Sequence, residues 1–249
     1  MKKKPLISII ITYYKKKFFL PKTINSILKQ TYKNYEIVFV YDDEDNKDLE
    51  YVNKLLLRFK KSKLIINKKN LGVANSRNIA IRYCKGSYLA FIDSDDLWKK
   101  NKLSNQLNFM QKNSHLFSFT SYSIISEKGN IIKKRKVFQD ANYYNLYWSN
   151  FIGLSTVMVN KKIFKKIYFP NLNTQEDFAL WLKLIRQGVK LKHFKQTLSF
   201  WRKTKNSLSS NVIRKLKDAF KLYHLYEKKN FIFSIYSVLV LSYNKLIKN

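Results

Sequence analysis

The sequence predicts an α/β fold, with a mostly parallel central sheet flanked by helices and a helical C-terminal tail. Three observations predict it. Short β-branched runs alternate with segments of helical period in the N-terminal part, polar residues gather where those runs stop, and the C-terminal part keeps only the helical period.

Leu6 to Thr12 (LISIIIT) reads as a strand, and Leu20 to Gln30 as a helix with Leu20, Ile24, Ile27 and Leu28 at helical spacing. The pattern repeats with a strand at Glu36 to Val40, a helix at Leu49 to Phe59, a strand at Leu64 to Ile66 and a helix at Val73 to Cys84. Tyr88 to Ile92 (YLAFI) is a further strand that stops at an acidic cluster. Strands alternating with helices imply right-handed crossovers and a parallel sheet that binds ligands at the carboxyl ends of its strands. Those ends carry Thr12, Tyr13 and Tyr14, then Asp42 and Asp43, then Asp93, Asp95 and Asp96.

After a helical segment at Lys99 to Lys112 the texture becomes mixed. Strands are expected at Phe117 to Ile125 and Ile131 to Phe138 around a Gly129-Asn130 turn, and at Ser155 to Val159. Gln175 to Gln187 is helical, with Phe178, Trp181, Leu182 and Ile185 on one face and Gly188 as its stop. Glu176 and Asp177 therefore fall in its first turn. Two further helices, Val212 to Glu227 and Phe231 to Leu246, leave the α/β pattern behind.

The balance of 49 Lys and Arg against 16 Asp and Glu gives a formal charge of +33, which calls for an anionic partner such as nucleic acid or an anionic membrane surface. Richness in Lys, Asn, Ile, Tyr and Phe together offers a compositional explanation for part of that charge. Cys84 is the single cysteine, which excludes an intramolecular disulfide and a cysteine-rich metal site and suits a cytoplasmic protein. Leu6 to Thr12 is too short for the apolar region of a signal peptide. Phe231 to Tyr243 is too short to cross a bilayer. It can lie on the inner face of the cytoplasmic membrane, with Phe231, Ile235, Leu239 and Ser242 on one face and Lys228, Lys229, Lys245 and Lys248 beside it, or it can pack on the domain.

Three carboxylates in Asp93-Ser94-Asp95-Asp96 repel one another at a strand end unless a cation holds them. Mg²⁺ or Mn²⁺ is the natural occupant, and since such ions are completed by substrate phosphates the site also predicts a phosphorylated ligand. The alternative is an acidic cap on a helix beginning at Leu97-Trp98. His115, His193 and His224 have no paired spacing for zinc and receive no role.

The segments PLISIIITYY, KTINSILKQTYKNYEIVFVYDD, NLGVANSRNIAI, KGSYLAFIDSDDLWKKNKL and TQEDFALWLK resemble, in order, successive motifs of glycosyltransferase family 2. The resemblance spans about residues 5 to 202 and implies the GT-A fold of nucleotide-diphospho-sugar transferases, a metal-dependent donor site and inversion at the anomeric carbon. It divides the chain into a transferase domain over 1–208, with a nucleotide-binding half over about 1–98 and an acceptor half over about 99–208, and a helical extension over 209–249.

By the same resemblance, Asp42 reads the nucleobase and Thr12 to Tyr14 form the rest of the nucleoside pocket, with a uridine nucleotide favoured. The usual Asp-Asp-Gly-Ser stands here as Tyr41-Asp42-Asp43-Glu44, which leaves Asp43 as an alternative to Asp42. Asp93 and Asp95 correspond to the DxD pair, Asp93 touching ribose or metal and Asp95 coordinating the metal, while Asp96 is free to cap a helix. Arg77 can offer a planar fork to phosphate or ribose oxygens, or be a solvated helix arginine. Asp177 corresponds to the general base and Glu176 to its support. Trp201-Arg202 and Asn206-Ser207-Leu208-Ser209 stand where a segment closes over the diphosphate, which assigns Arg202 to the leaving group. The processive synthases' Gln-x-x-Arg-Trp is absent.

The expected activity is transfer of a sugar from a nucleotide-sugar donor to a hydroxyl of a glycan or lipid-linked acceptor of the cell envelope. Two rivals stand beside it. A basic nucleic-acid-binding protein would use the charge and the 17 Tyr but leaves the aspartates unexplained. A sugar nucleotidyltransferase would need a glycine-rich phosphate loop that Leu6 to Lys17 lacks.

Overall fold

The computed structural model describes residues 4–205 and 211–248, so the Asn206 to Ser209 segment and the domain boundary expected at 208 lie outside the described residues. The N-terminal half runs β1 (Ile7–Tyr13), α1 (Leu20–Leu28), β2 (Tyr35–Tyr41), α2 (Leu49–Leu56), β3 (Ser62–Ile66), α3 (Val73–Tyr83) and β4 (Tyr88–Phe91). Then come β5 (Leu97–Trp98), α4 (Lys102–Lys112), β6 (Phe117–Ile125), β7 (Ile131–Arg135), α5 (Tyr143–Tyr147), β8 (Met158–Asn160), α6 (Glu176–Arg186) and β9 (Leu191–Arg202). The chain closes with α7 (Val212–Lys221), a π-helical turn over Leu222–Tyr226, and α8 (Phe231–Lys248).

Among the described residues one sheet holds nine strands in the order β3-β2-β1-β4-β8-β6-β9-β5, with β7 on β6. β3, β2, β1 and β4 are mutually parallel, as the alternation of strands and helices requires, and β6 and β9 are also parallel. The other pairings are antiparallel. β1 and β2 bury residues on both faces because helices cover both sides. Ile9, Ile11, Ile37 and Phe39 pack with Leu20 and Ile24 of α1 and Leu103 and Leu107 of α4. Ile10, Val38 and Val40 pack with Ala74, Ala80 and Ile81 of α3 and with Phe178 and Trp181 of α6. Such two-sided burial is why these strands read as unbroken apolar runs.

Gly86 is required where the chain turns into β4. A Cβ there would stand 2.6 Å from the Ser8 nitrogen and 2.7 Å from the Leu6 carbonyl. Ser8 and the Lys85 amide both donate to the buried Glu36 at 2.6 Å, which ties β1, β2 and this turn together.

Two expectations need correction. Leu154–Thr156 forms a 3-10 turn and the strand there begins only at Met158. Leu97-Trp98 does not open a helix: it is a strand paired with Ser199 and Phe200, and the next helix starts at Lys102. Asp96 therefore caps no helix.

Candidate active site

Every acidic residue singled out in the N-terminal half lies just beyond a strand end. Thr12 pairs with Val40 and Tyr13 with Tyr41, so Tyr14 and Asp42 leave the sheet side by side, and the Asp42 amide donates to the Tyr13 carbonyl at 2.9 Å. Thr12 is half-buried and Tyr14 exposed. Asp42 is buried, and its Oδ1 accepts from the Asn67 side chain at 2.7 Å and from the Leu71 amide at 2.8 Å, toward the turn that opens α3. Asp43 is buried too but has other partners, accepting from the Asp45 amide at 3.2 Å and lying 4.0 Å from the Lys15 ammonium.

Arg77 is the hub of the site. It projects from α3 into the interior, 4% exposed, so it is no solvated arginine. One guanidinium nitrogen donates to Asp93 Oδ1 at 2.8 Å and another to Glu176 Oε1, with the Phe169 ring 5.5 Å from the guanidinium carbon. Residues from α3, the end of β4 and the start of α6 thus meet on one side chain, across 16 and 99 positions of sequence. A planar donor fork suits two carboxylates held at fixed angles as an ammonium would not.

Asp177 follows Glu176 in the first turn of α6, and its Oδ1 accepts from the Phe178 amide at 2.6 Å. The residue before the helix, Gln175, adopts a left-handed backbone (φ 65°), a conformation that a non-glycine residue holds only when its surroundings impose it. Burial, with the neighbouring Glu176 charge, pushes the Asp177 carboxyl up to about 8, while Arg77 and the Phe178 amide pull the other way. Burial also raises Glu176, against the pull of Arg77. One guanidinium among three carboxyl groups leaves this pocket short of positive charge.

The acidic turn after β4 splits its three carboxylates between tasks. Asp93 is about one-third exposed and held by Arg77. Asp95 pairs with Lys16 at 2.9 Å, and the same ammonium reaches the Thr204 hydroxyl at 3.2 Å. Asp96 is buried, accepting from the Ser155 hydroxyl at 2.6 Å and from the Arg202 amide at 2.8 Å, and burial beside Asp95 and Asp93 raises its carboxyl well above the usual range. It is the post that fixes the turn to the end of β9. Arg202 completes this support: its Nε donates to the Asp95 carbonyl at 2.8 Å and its Nη1 to the Ser126 and Glu127 carbonyls at 3.0 Å, while Nη2 is buried without a partner.

Among the described residues, no group of three or more His, Cys, Asp or Glu is arranged to hold a metal. Asp93 and Asp95 are hard oxygen donors of the kind that Mg²⁺ or Mn²⁺ accepts, one or two at a time beside water and substrate phosphates, and here each carboxylate is held by a cationic side chain, Asp93 by Arg77 and Asp95 by Lys16.

Sequence reasoning missed Lys16 and the contact between Thr174 and Asp218. The basic run Lys15-Lys16-Lys17 at the end of the first strand was the available signal for Lys16.

The model of the family described as "Glycosyl transferase family 2" matches residues 8–168, from the second residue of β1 through β8 and including the whole acidic turn. The chain belongs to glycosyltransferase family 2. Membership in this family makes it a transferase and displaces the nucleic-acid-binding and nucleotidyltransferase readings. A family relative, the Escherichia coli UDP-Glc:alpha-D-GlcNAc-diphosphoundecaprenol beta-1,3-glucosyltransferase WfaP, is 36% identical over 216 residues, which is 85% of this chain and 82% of that protein. The GT-A fold is shown by solved structures. TarS 1-349 of S. aureus in complex with UDP-GlcNAc superposes with a TM-score of 0.77 at 19% identity, over 96% of this chain and 72% of that one. The mannosyltransferase PcManGT of Pyrobaculum calidifontis, in complex with GDP-Man and Mn²⁺, gives 0.71 at 14% identity, over 97% and 74%.

Proposed function

We propose that this glycosyltransferase moves a sugar, with inversion, from a nucleotide-diphospho-sugar to a hydroxyl of a lipid-linked or other cell-envelope glycan, with a UDP-sugar as donor. The observation that carries the reading is the Asp93–Arg77–Glu176 chain, which sets a donor-side carboxylate and the start of α6 at fixed positions around Asp177. The UDP-glucose donor and the diphosphoundecaprenol-linked acceptor in the name of the E. coli relative support the choice of substrates.

In this reading Asp42, fixed by Asn67 and Leu71, accepts a hydrogen bond from the nucleobase, and Thr12 and Tyr14 border it. Asp93 and Asp95 would hold a divalent cation, Mn²⁺ or Mg²⁺, which supplies positive charge to the departing diphosphate. Arg77 holds Asp93 and, through Glu176, the first turn of α6. Asp177 takes the proton from the acceptor hydroxyl as that oxygen attacks the anomeric carbon from the face opposite the diphosphate, so that one displacement inverts the centre. Arg202, whose Nη2 has no partner, serves the leaving group in this reading.

Among the described residues no helix is long and apolar enough to cross a membrane. In this reading the lipid-linked acceptor is met at a membrane surface, the inner face of the cytoplasmic membrane.

The test is nucleotide release from UDP-, GDP- and dTDP-sugars, with and without Mn²⁺, in the presence of a diphospholipid-linked sugar. Metal-dependent release of UDP together with an acceptor one sugar longer, in the opposite anomeric configuration to the donor, is the expected result. Pyrophosphate release, a retained anomer or preference for a GDP donor contradicts it.

A further inference from the structure

α8 is docked on the domain by its more polar face. Ser234, Ser237, Val238 and Leu241 are buried, the Ser237 and Tyr147 hydroxyls share a hydrogen bond of 3.2 Å, and the Asn244 amide donates to the Trp148 carbonyl at 2.9 Å. The face turned outward carries Ile232, Ile235, Tyr236, Leu239, Tyr243 and Leu246, spaced three, four and seven residues apart with no charge among them. Ile232 is 80% exposed and Leu246 79%. A helix that merely finishes a soluble core shows the reverse arrangement, apolar stripe inward and charges outward.

The stripe does not end with α8. Phe231 meets Phe220 of α7 edge to face with ring centres 5.4 Å apart, Leu216 lines a surface cavity with Phe220, and Leu216 and Ile213 of α7 are both exposed. A contiguous exposed apolar surface of this kind marks an interaction face. One helix thus has a packed face, the one with the serines, and an open apolar face.

Charge decides the partner. From residue 211 onward the sequence has eight Lys and Arg against two acids, Asp218 and Glu227, and both acids are buried. What surrounds the stripe is thus cationic, with Lys217, Lys221, Lys228 and Lys245 all exposed. A second copy of a chain with charge +33 would be repelled, whereas an anionic bilayer attracts the lysines and accepts the apolar side chains.

We infer that the outward stripe of α8 and the adjoining surface of α7 lie in the interface of an anionic lipid bilayer. The inference deepens the reading of a lipid-linked acceptor and rests on it for its purpose, since a docked extension would bring the site to the acceptor.

The experiment is co-sedimentation of the full chain with vesicles of phosphatidylglycerol and phosphatidylcholine, and with phosphatidylcholine alone, for the native protein and the double variant Ile232→Glu/Leu239→Glu. Donor hydrolysis without lipid is followed in parallel. Native protein should partition onto the anionic vesicles, less so at high salt, and the double variant should partition at least about tenfold less, since two charges replace two membrane-buried side chains. Donor hydrolysis should be unchanged, because both side chains are exposed and neither is among the residues that build the candidate site. Equal vesicle binding by the variant, or no binding by the native chain, overturns the inference. So does a concentration-dependent dimer that the variant loses, which would make the stripe a self-association face. Vesicle binding without any donor turnover would instead leave the inference standing and sink the proposed function.

Discussion

Asp218 of α7 accepts two hydrogen bonds from Thr174, one from its amide and one from its hydroxyl, both at 2.9 Å. The C-terminal extension thereby holds the residue that precedes the strained Gln175 and the Glu176-Asp177 pair. Asp218→Ala leaves a buried amide and a hydroxyl without their acceptor, at a cost of about 2 kcal/mol to stability. Transfer should fall about tenfold through kcat, with donor KM little changed, because the base is misplaced while the nucleotide side is untouched. Asp218→Asn keeps one acceptor oxygen and should recover part of both losses. Thermal unfolding and steady-state kinetics check this, and a variant that unfolds earlier yet turns over normally would show that the extension does not position the loop.

Asp177 and Glu176 are neighbours with different partners, so their variants should fail differently. Asp177→Asn removes the proposed proton acceptor and should lower the transfer rate by about 10²- to 10⁴-fold while donor affinity stays near the native value. Glu176→Gln removes a charge from Arg77, which also holds Asp93, and should weaken donor binding as well as turnover. Titration calorimetry with the donor, set beside single-turnover transfer, separates the two. Near-native transfer by Asp177→Asn would remove it from the role of base.

The parallel half of the fold was legible because two-sided burial writes itself as unbroken apolar runs such as Ile9 to Ile11 and Ile37 to Phe39. β9 was not, since its register with β6 shifts twice and the strand mixes lysines with aromatics. At the site, the residue types at strand ends were readable but their partners were not. Arg77 gives no local sign of burial, because the carboxylates that make burial tolerable come from β4 and α6. Asp96 looked like a helix cap for the same reason: its true partners, Ser155 and Arg202, lie 59 and 106 residues away.

In the proposed mechanism Lys16 and a divalent cation make opposing demands on Asp95. The ammonium is held by Asp95 and Thr204, and both charged groups are only slightly exposed, so screening by water is incomplete. Lys16→Met should therefore tighten donor-free Mn²⁺ binding by a few-fold, the scale of one partly screened ion pair. Asp95→Asn should abolish that binding in either background. Manganese titration followed by electron paramagnetic resonance reads both, and unchanged affinity in Lys16→Met would mean that the ion does not use Asp95.

The pH dependence follows from the burial of Asp177. A general base works only when deprotonated, and burial beside Glu176 raises this carboxyl to about 8, so in the proposed role Asp177 should gain its basic form only as the pH rises toward that value. The profile of kcat/KM should rise about tenfold per pH unit in the acid range and level off above about pH 8, because this parameter reports the free enzyme. Asp177→Asn should remove that limb together with the activity. Stability moves the opposite way. The folded pKa lies above the ordinary aspartate value of 3.8, so the neutral form is the one the fold favours; its contribution is complete below about pH 4 and is lost as pH rises through about 8. Asp177→Asn is neutral at every pH and should therefore be stabilised relative to the native protein at pH 9 but not at pH 4. Thermal unfolding of both proteins across that range tests the sign. A kinetic limb centred near pH 4, with no stability gain for the variant at high pH, would show that Asp177 is an ordinary solvated carboxylate and that the proton leaves the acceptor by another group.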